Sequence, residues 1–382
     1  MTGRIQIDRF AVENFRAIQQ CDVELSPVTF FIGPNASGKT SYVDALMFVQ
    51  QALRESLEQA IDSRGGKFSI LHHTIVFPAR SRFTLNISSS TGETCRYSLT
   101  LRFDDAHSFA VDREECCIKT LNGEQHHYLV ANATVTGSAA IFPSVSADRI
   151  FLSNASGLPE FRPLYDFLAH TAFCEPVAPW IHQLNHAQNW RLRKMDPTQE
   201  EAGLGPRFRQ LGSNQPEQLE IIQQYLRMIA PPFERIEVVQ SEGLSFLFFV
   251  EQFPSGDPVR FYLSQAAAGL VNAADILLEL FDLSSASPVV IEEPEALLHP
   301  GAIHVMRDAF LEASKIRQVL VTTHSPDLLD DDSMPADWIR TVYRDETGTH
   351  IQVLDDGTKS VIRDHLYTPG QLLRQGGLIT TP

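Results

Sequence analysis

The sequence predicts an α/β protein: a P-loop head with a mixed sheet, an antiparallel β subdomain and a helical subdomain, and no coiled-coil arm. Three observations predict it. An apolar run, Val-Thr-Phe-Phe-Ile, leads into a glycine-rich loop and then an amphipathic helical pattern. Between 67 and 158 the chain alternates apolar and polar residues in short runs broken by Gly, Asp and Ser. Two more apolar runs, at 288–293 and 318–324, end in carboxylates and in a histidine. Buried strands of a parallel sheet deliver functional side chains at this carboxyl end.

Composition sets the outer limits. With 382 residues the chain has room for about two to three domains. Hydrophobic residues make up 43% and charged residues 20%, which excludes global disorder. The net charge of −16 excludes a protein that coats DNA with its whole surface, since phosphate binding needs a local excess of Lys and Arg. The densest basic stretch is Arg191, Arg193, Lys194, Arg207 and Arg209 beside Trp190, diluted by Asp196, Glu200 and Glu201, so nucleic-acid binding stays open. The cysteines at 21, 95, 116, 117 and 174 lack paired spacing, which argues against a disulfide scaffold or a zinc ribbon. The first ten residues lack the apolar stretch of a signal peptide, and no run nears the ~18 apolar residues of a membrane span. The expectation is a cytoplasmic chain without a membrane partner.

In chain order, 4–15 and 21–33 read as strands, and 41–61 as a helix whose apolar residues recur at three and four. Arg64-Gly65-Gly66 ends it. The alternating runs of 67–158 predict an antiparallel sheet forming a second lobe. Pro, Asn and Gln are frequent from 159 to 212, which reads as helices and loops; 216–229 is an amphipathic helix stopped by Pro231-Pro232. Strands follow at 235–253, a helix at 269–281, a buried strand at 288–293, a helix at 300–315 and a buried strand at 318–324. The tail from 338 reads as strands and then a short helix. The expected division is 1–66 and 261–382 as the two parts of the head, 67–158 as a β-rich lobe and 159–260 as a helical or mixed insert. No heptad array interrupts the chain.

Gly33-Pro34-Asn35-Ala36-Ser37-Gly38-Lys39-Thr40 matches G-x-x-x-x-G-K-[ST] in full, between an apolar strand and a helix. Its glycines let backbone N–H groups curl around phosphates. The helix start favours an anion, Lys39 reaches the β and γ phosphates, and Thr40 can ligate Mg²⁺, with Ser41 next in the helix. The ligands expected are ATP and Mg²⁺. In Val289-Val290-Ile291-Glu292-Glu293-Pro294-Glu295, Glu292 is placed in the metal shell and Glu293 as the group that polarises the attacking water. His324, ending Val319-Leu320-Val321-Thr322-Thr323, is placed at the γ-phosphate or the attacking water. The pairs His72-His73 and His126-His127 lack such a setting and read as structural.

The order and spacing of these motifs resemble the ABC-type ATPase heads of the SMC, RecF and OLD kind. In particular the chain resembles the compact bacterial ATPases of the AAA_21 (RecF-like, OLD-like) family. ENFRAI at 13–18, RGGKF at 64–68, PEFRPLYDFL at 159–168, EEPEALLHP at 292–300 and the RQGGL ending carry the resemblance. It implies a head in which two subunits sandwich two nucleotides, each capped by a signature loop of the other. It also implies that the Arg of the N-F-R segment, here Arg16, lies near the nucleotide. Relatives carry a signature like S-D-G-T-L-R where this chain has Ala267-Ala268-Gly269-Leu270-Val271-Asn272. Backbone N–H groups around Gly269 remain for phosphate, but a hydroxyl contact at 267 does not, and Ser264 is the alternative supplier. The nuclease domain of OLD proteins does not fit in the stretch after His324.

The expected function is an ATPase that self-associates through nucleotide as a homodimer or higher oligomer. It would act as a regulator or motor for a protein effector, in the phage-defence or DNA-repair settings that the resemblance implies. An ATP-gated scaffold or sensor with little turnover is the alternative that the changed signature favours. A P-loop kinase or GTPase fits less well, because the chain has no N-K-x-D motif and the carboxylate and histidine pairing suits attack by water.

Overall fold

The structure is a computed structural model that describes residues 1, 3–104, 108–139, 141–146, 148–175, 203–241, 244–254, 256–263 and 265–378. It divides into two compact units. The first comprises Met1–Phe173, Ser285–Val290 and Ser314–Pro382; the second comprises Cys174–Ser284 and Ile291–Ala313.

In the first unit the 4–15 run forms β1 (Ile5–Phe15). The run 21–33 splits into β2 (Ile18–Glu24) and β3 (Val28–Ile32). The break falls at Ser26-Pro27: Pro27 has no N–H for a ladder, and the Ser26 N–H turns to the Thr29 hydroxyl at 2.9 Å. The expected helix 41–61 is also two, α1 (Lys39–Arg54) and α2 (Leu57–Asp62). Ser56 breaks it by capping α2, its hydroxyl accepting from Gln59 N–H at 3.1 Å. A short α3 (Lys67–Ile70) follows the two glycines.

Five strands come next: β4 (Ala79–Ser89), β5 (Thr94–Phe103), β6 (Phe109–Lys119), β7 (Gln125–Ala131) and β8 (Thr134–Gly137). They are antiparallel, as the alternation predicts. They do not stand apart from the N-terminal strands. β4 pairs with β1 along its length, giving one seven-stranded sheet in the order β2-β1-β4-β5-β6-β7-β8. The pairing has a plain cause: β1 offers β4 a free edge with alternating buried residues in register, such as Phe10 opposite Leu85 and Val12 opposite Phe83.

Helices α4 (Phe151–Ala155) and α5 (Arg162–Ala169) and a three-residue β9 (Ala172–Cys174) follow. The second sheet has six strands, β16-β15-β3-β14-β13-β9, with β13 at Val289–Glu292, β14 at Val319–Thr323, β15 at Ile339–Asp345 and β16 at Gly348–Val353. β3 runs parallel to both of its neighbours, β14 and β15. The tail ends in two helices rather than one, α10 (Asp356–Arg363) and α11 (Pro369–Arg374).

The core of the first unit is α1 with the aromatic side chains around it. Tyr42 packs on Phe10 of β1 and Phe31 of β3, with ring centroids 5.4 and 5.1 Å apart, and Phe48 packs on Phe15 and Phe83. Buried Gln318 ties the two sheets further: its amide accepts from Ile7 N–H at 2.9 Å and donates to Ile7 O at 2.8 Å. Glu114, fully buried, accepts from Tyr97, Tyr128 and the N–H groups of Phe151 and Leu152, which anchors the start of α4 on the sheet. Burial pushes its carboxyl up, while these four donors oppose the shift.

The second unit holds α6 (Leu204–Asn214), α7 (Pro216–Ile229) and a three-stranded sheet of β10 (Phe233–Ser241), β11 (Leu244–Glu251) and β12 (Val259–Tyr262). It continues with α8 (Ala268–Phe281), a 3-10 turn at Pro294–Leu297 and α9 (Pro300–Ala313). α7 has the bounds its pattern predicts, with Pro216 at its first turn and Ile222 and Leu226 buried.

Candidate functional site

β3 is buried along its whole length and ends where the glycine loop begins. Pro34, Asn35 and Ala36 are exposed, and Ala36 sits at φ 63°. Gly38, at φ 108°, starts α1 with no side-chain cap. The first N–H groups of a helix have no partner within it, and successive amides in such a turn form an anion-binding concavity. Lys39 is buried, and its ammonium donates to the carbonyls of Gly33 at 2.8 Å and Pro34 at 3.1 Å, crossing the loop's own backbone. The Thr40 side chain is exposed and Ser41 is half-buried.

The loop glycines have a second cause that the motif does not show. A Cβ at Gly33 would lie 2.1 Å from the carbonyl oxygen of Val342, on β15. A Cβ at Gly38 would lie 2.0 Å from the Thr349 hydroxyl, on β16. The C-terminal hairpin thus presses on both ends of the loop.

Strand register places His324. Thr323 of β14 lies opposite Ile32 of β3, so His324 emerges at the level of Gly33 with its side chain exposed. The Ser325 N–H donates to the Thr323 hydroxyl at 2.9 Å, which fixes the bend after the strand. Arg16 lies in a turn at φ 49° and is held by its N–H to Ile70 O at 2.8 Å. Its guanidinium meets Asp44 at 3.0 Å, and Arg64 meets the same carboxylate at 2.7 Å. Asp44 stands one turn beyond Thr40 on α1. It positions both arginines, a role the sequence reading missed; the available signal was a lone acid within an apolar helical run.

The second unit carries the carboxylates. Glu292 ends β13, and Glu293 takes φ 43°, ψ 56° ahead of Pro294. A non-glycine residue in the left-handed region costs on the order of 1 kcal/mol or more, and such strain gathers at functional positions. Ala267 caps α8 without a side-chain bond, and a Cβ at Gly269 would lie 2.3 Å from the carbonyl oxygen of Leu297. Close packing therefore accounts for that glycine by itself. Asn272, near the start of α8, is buried. Asp275, further along α8, is pushed up to about 6 by burial and by Glu279, against the pull of Arg207. Arg207 is engaged with Glu279, whereas Arg209 is exposed. Ser264 and the basic stretch 190–194 lie outside the described residues.

The donor set fits a nucleotide phosphate: an uncapped helix start, a left-handed loop and a lysine above it. It fits Mg²⁺ in the manner of that ion, which takes one or two protein oxygens and completes its shell with phosphate and water. The Thr40 hydroxyl, next to Lys39 in the first turn of α1, is an oxygen of this kind. Among the described residues no three His, Cys, Asp or Glu form a preformed cation cage. Among them, too, no helix is long and apolar enough to cross a membrane.

A mixed sheet carrying this loop, with antiparallel strands beside it, defines a P-loop ATPase head. The solved structures agree on the fold. The SMC head bound to the C-terminal winged-helix domain of ScpA aligns at TM-score 0.51 and 14% identity, over 93% of this chain and 99% of that one. The SMC head domain with an extended coiled coil, bound to the C-terminal domain of ScpA derived from Pyrococcus furiosus, aligns at TM-score 0.52 and 11% identity, over 95% of this chain and 99% of that one. The chain belongs to the AAA ATPase domain family AAA_15, whose pattern it matches over residues 6–132 and 209–329. It is also similar to the DNA replication and repair protein RecF of two Vibrio vulnificus strains, YJ016 and CMCP6, at 49% identity over 41 residues. That match spans 10% of this chain and 11% of RecF.

Proposed function

We propose that the chain binds MgATP in the loop 33–41 and hydrolyses it, using the energy to control a partner protein. The observation that carries this reading is the loop itself, in a left-handed turn at an uncapped helix start, level with His324. The loop amides and Lys39 hold the phosphates, and Arg16, oriented by Asp44, adds positive charge beside them. When bound, Mg²⁺ offsets charge on the phosphate oxygens, with Thr40 and Glu292 as its protein ligands. Glu293 takes the proton of the attacking water, and His324 hydrogen-bonds the γ-phosphate.

Self-association through nucleotide belongs to the same reading, with the amides around Gly269 of one copy facing the phosphates of another. The SMC heads it resembles are bound to ScpA, and RecF is named for DNA replication and repair. These support a protein effector and a setting in DNA repair; the resemblance to AAA_21, RecF-like and OLD-like ATPases supports antiviral defence and a cytoplasmic place of action. A second reading, an ATP-gated scaffold, is favoured by Ala267, which brings no hydroxyl to the start of α8.

Glu293→Gln tests the reading. The amide keeps the shape and loses the base, so turnover falls about 10²–10⁴-fold while MgATP affinity stays within about twofold. Steady-state hydrolysis and calorimetric titration check both values, and wild-type turnover in the variant removes Glu293 from the mechanism. Specific activity that rises with protein concentration marks a shared site; a flat line marks a self-contained one. Tight ATP binding with no turnover in the wild type selects the scaffold.

A further inference from the structure

The geometry points to Thr349 as a positioning residue for the phosphate loop: its hydroxyl turns the Ser37–Gly38 peptide so that the Gly38 N–H faces bound phosphate. The inference rests on the reading of that loop as the ATP site. Thr349 lies on β16, more than three hundred residues from the loop in sequence, and it is 1% exposed. Its hydroxyl donates to the carbonyl oxygen of Ser37 at 3.0 Å. A peptide is planar and trans, so holding the carbonyl on one side fixes the following N–H on the opposite side. That N–H belongs to Gly38, the residue at φ 108° that opens α1. The same hydroxyl occupies the space that a Cβ at Gly38 would need. Thr349 therefore both orients the peptide and closes off its rear.

Thr349 is itself fixed. Its N–H donates to Ala17 O at 2.9 Å, beside Arg16. The turn before it is held by Asp345, which accepts from Thr347 N–H at 2.7 Å, the Thr347 hydroxyl at 2.6 Å and Gly348 N–H at 3.2 Å, and pairs with His350 at 3.0 Å. Those donors hold the Asp345 carboxyl well below the ordinary carboxylate range. Gly348, at φ 132°, lets the strand approach the Ala17 turn: a Cβ there would lie 3.1 Å from Ala17 O. One short hairpin thus sets the Arg16 turn and the Gly38 amide together. A buried carbonyl that loses a hydrogen-bond donor stays desolvated, which makes the hydroxyl more important than its methyl neighbour.

Thr349→Val removes the hydroxyl at nearly constant shape, and Thr349→Ser keeps it. Two measurements on the full chain judge them. In calorimetric titration with MgATP, Thr349→Val weakens binding about tenfold and Thr349→Ser stays within about twofold. In hydrogen exchange without nucleotide, the amides of 36–39 exchange about fivefold faster in Thr349→Val, while Thr349→Ser and the strand β3 amides keep wild-type rates. Equal loop exchange in Thr349→Val and wild type overturns the inference. So does equal damage in both variants, which would mean that the methyl group's packing matters and the hydroxyl does not. If wild-type protein fails to bind MgATP, the ATP reading falls, and the exchange measurement still decides whether Thr349 holds the loop.

Discussion

Helices α1 and α8 both begin without a side-chain cap, at Gly38 and at Ala267, and near each start a glycine sits where a methyl group would collide with a neighbour. At Gly38 the backbone is left-handed, and Pro34, Asn35 and Ala36 of the loop before it are exposed. At Gly269 the glycine lies within a helix and is pressed against the Leu297 carbonyl. The first arrangement makes an open cradle of amides. The second makes a tight helix–turn contact, and that contact alone requires a glycine. Matching a glycine to a motif is thus a stronger argument for phosphate at 33–40 than at 267–272.

The largest expected effect tests the first half of this contrast. Lys39→Ala removes the loop's cation and weakens ATP about 100-fold, or roughly 2.7 kcal/mol, while thermal unfolding stays within a few degrees of wild type. Unchanged affinity in a calorimetric titration would break the comparison at its stronger end.

Gly269→Ala tests the other half. The new methyl must displace backbone, so the second unit loses about 1–3 kcal/mol in urea unfolding, and ADP binding at the loop is unchanged. Should stability hold while ATP-dependent association disappears, the glycine is required by the proposed contact with the other copy's nucleotide and not by helix–turn packing.

The smallest effect sharpens the picture of α8. The Asp275 carboxyl lies at about 6 in the folded protein, above its ordinary value near 4, so folding takes up a proton there. It costs nothing below about pH 4, costs progressively more as the pH rises to about 6, and stays constant above that. Asp275→Asn therefore gains about 1–2 kcal/mol over wild type at pH 7.5 and nothing at pH 4, the half-buried carboxyl keeping part of its hydration. Urea unfolding at the two pH values checks it; a gain of equal size at both would assign the effect to packing.

The loop 33–40, His324 and most elements were legible because each rests on local pattern: an apolar run, a helical period, a turn residue. α7 and β14 are near-literal readings of their segments. What the sequence hid depends on residues far apart in the chain. The β4–β8 strands read as their own lobe because nothing local announces that β1 supplies the edge on which β4 pairs. Asp44 and Thr349 escape because an acid in a helix and a threonine in a strand are ordinary until Arg16, Arg64 and Ser37 arrive beside them. The strained backbone of Glu293 leaves no mark in composition at all. The pairing of Arg374 of α11 with Asp327 and Asp330 is of the same long-range kind.

The distance between Ser37 and Thr349, 312 residues along the chain, also has a bearing on biosynthesis. At about 5–20 residues per second, a ribosome finishes the hairpin roughly 15–60 seconds after the loop. For most of that interval β3 lacks both strands that flank it, since β14 and β15 are made only near its end. The nascent chain emerges with an unbraced loop and an open strand edge, and whatever protects it then must come from outside the chain, from a chaperone or from the speed of translation itself.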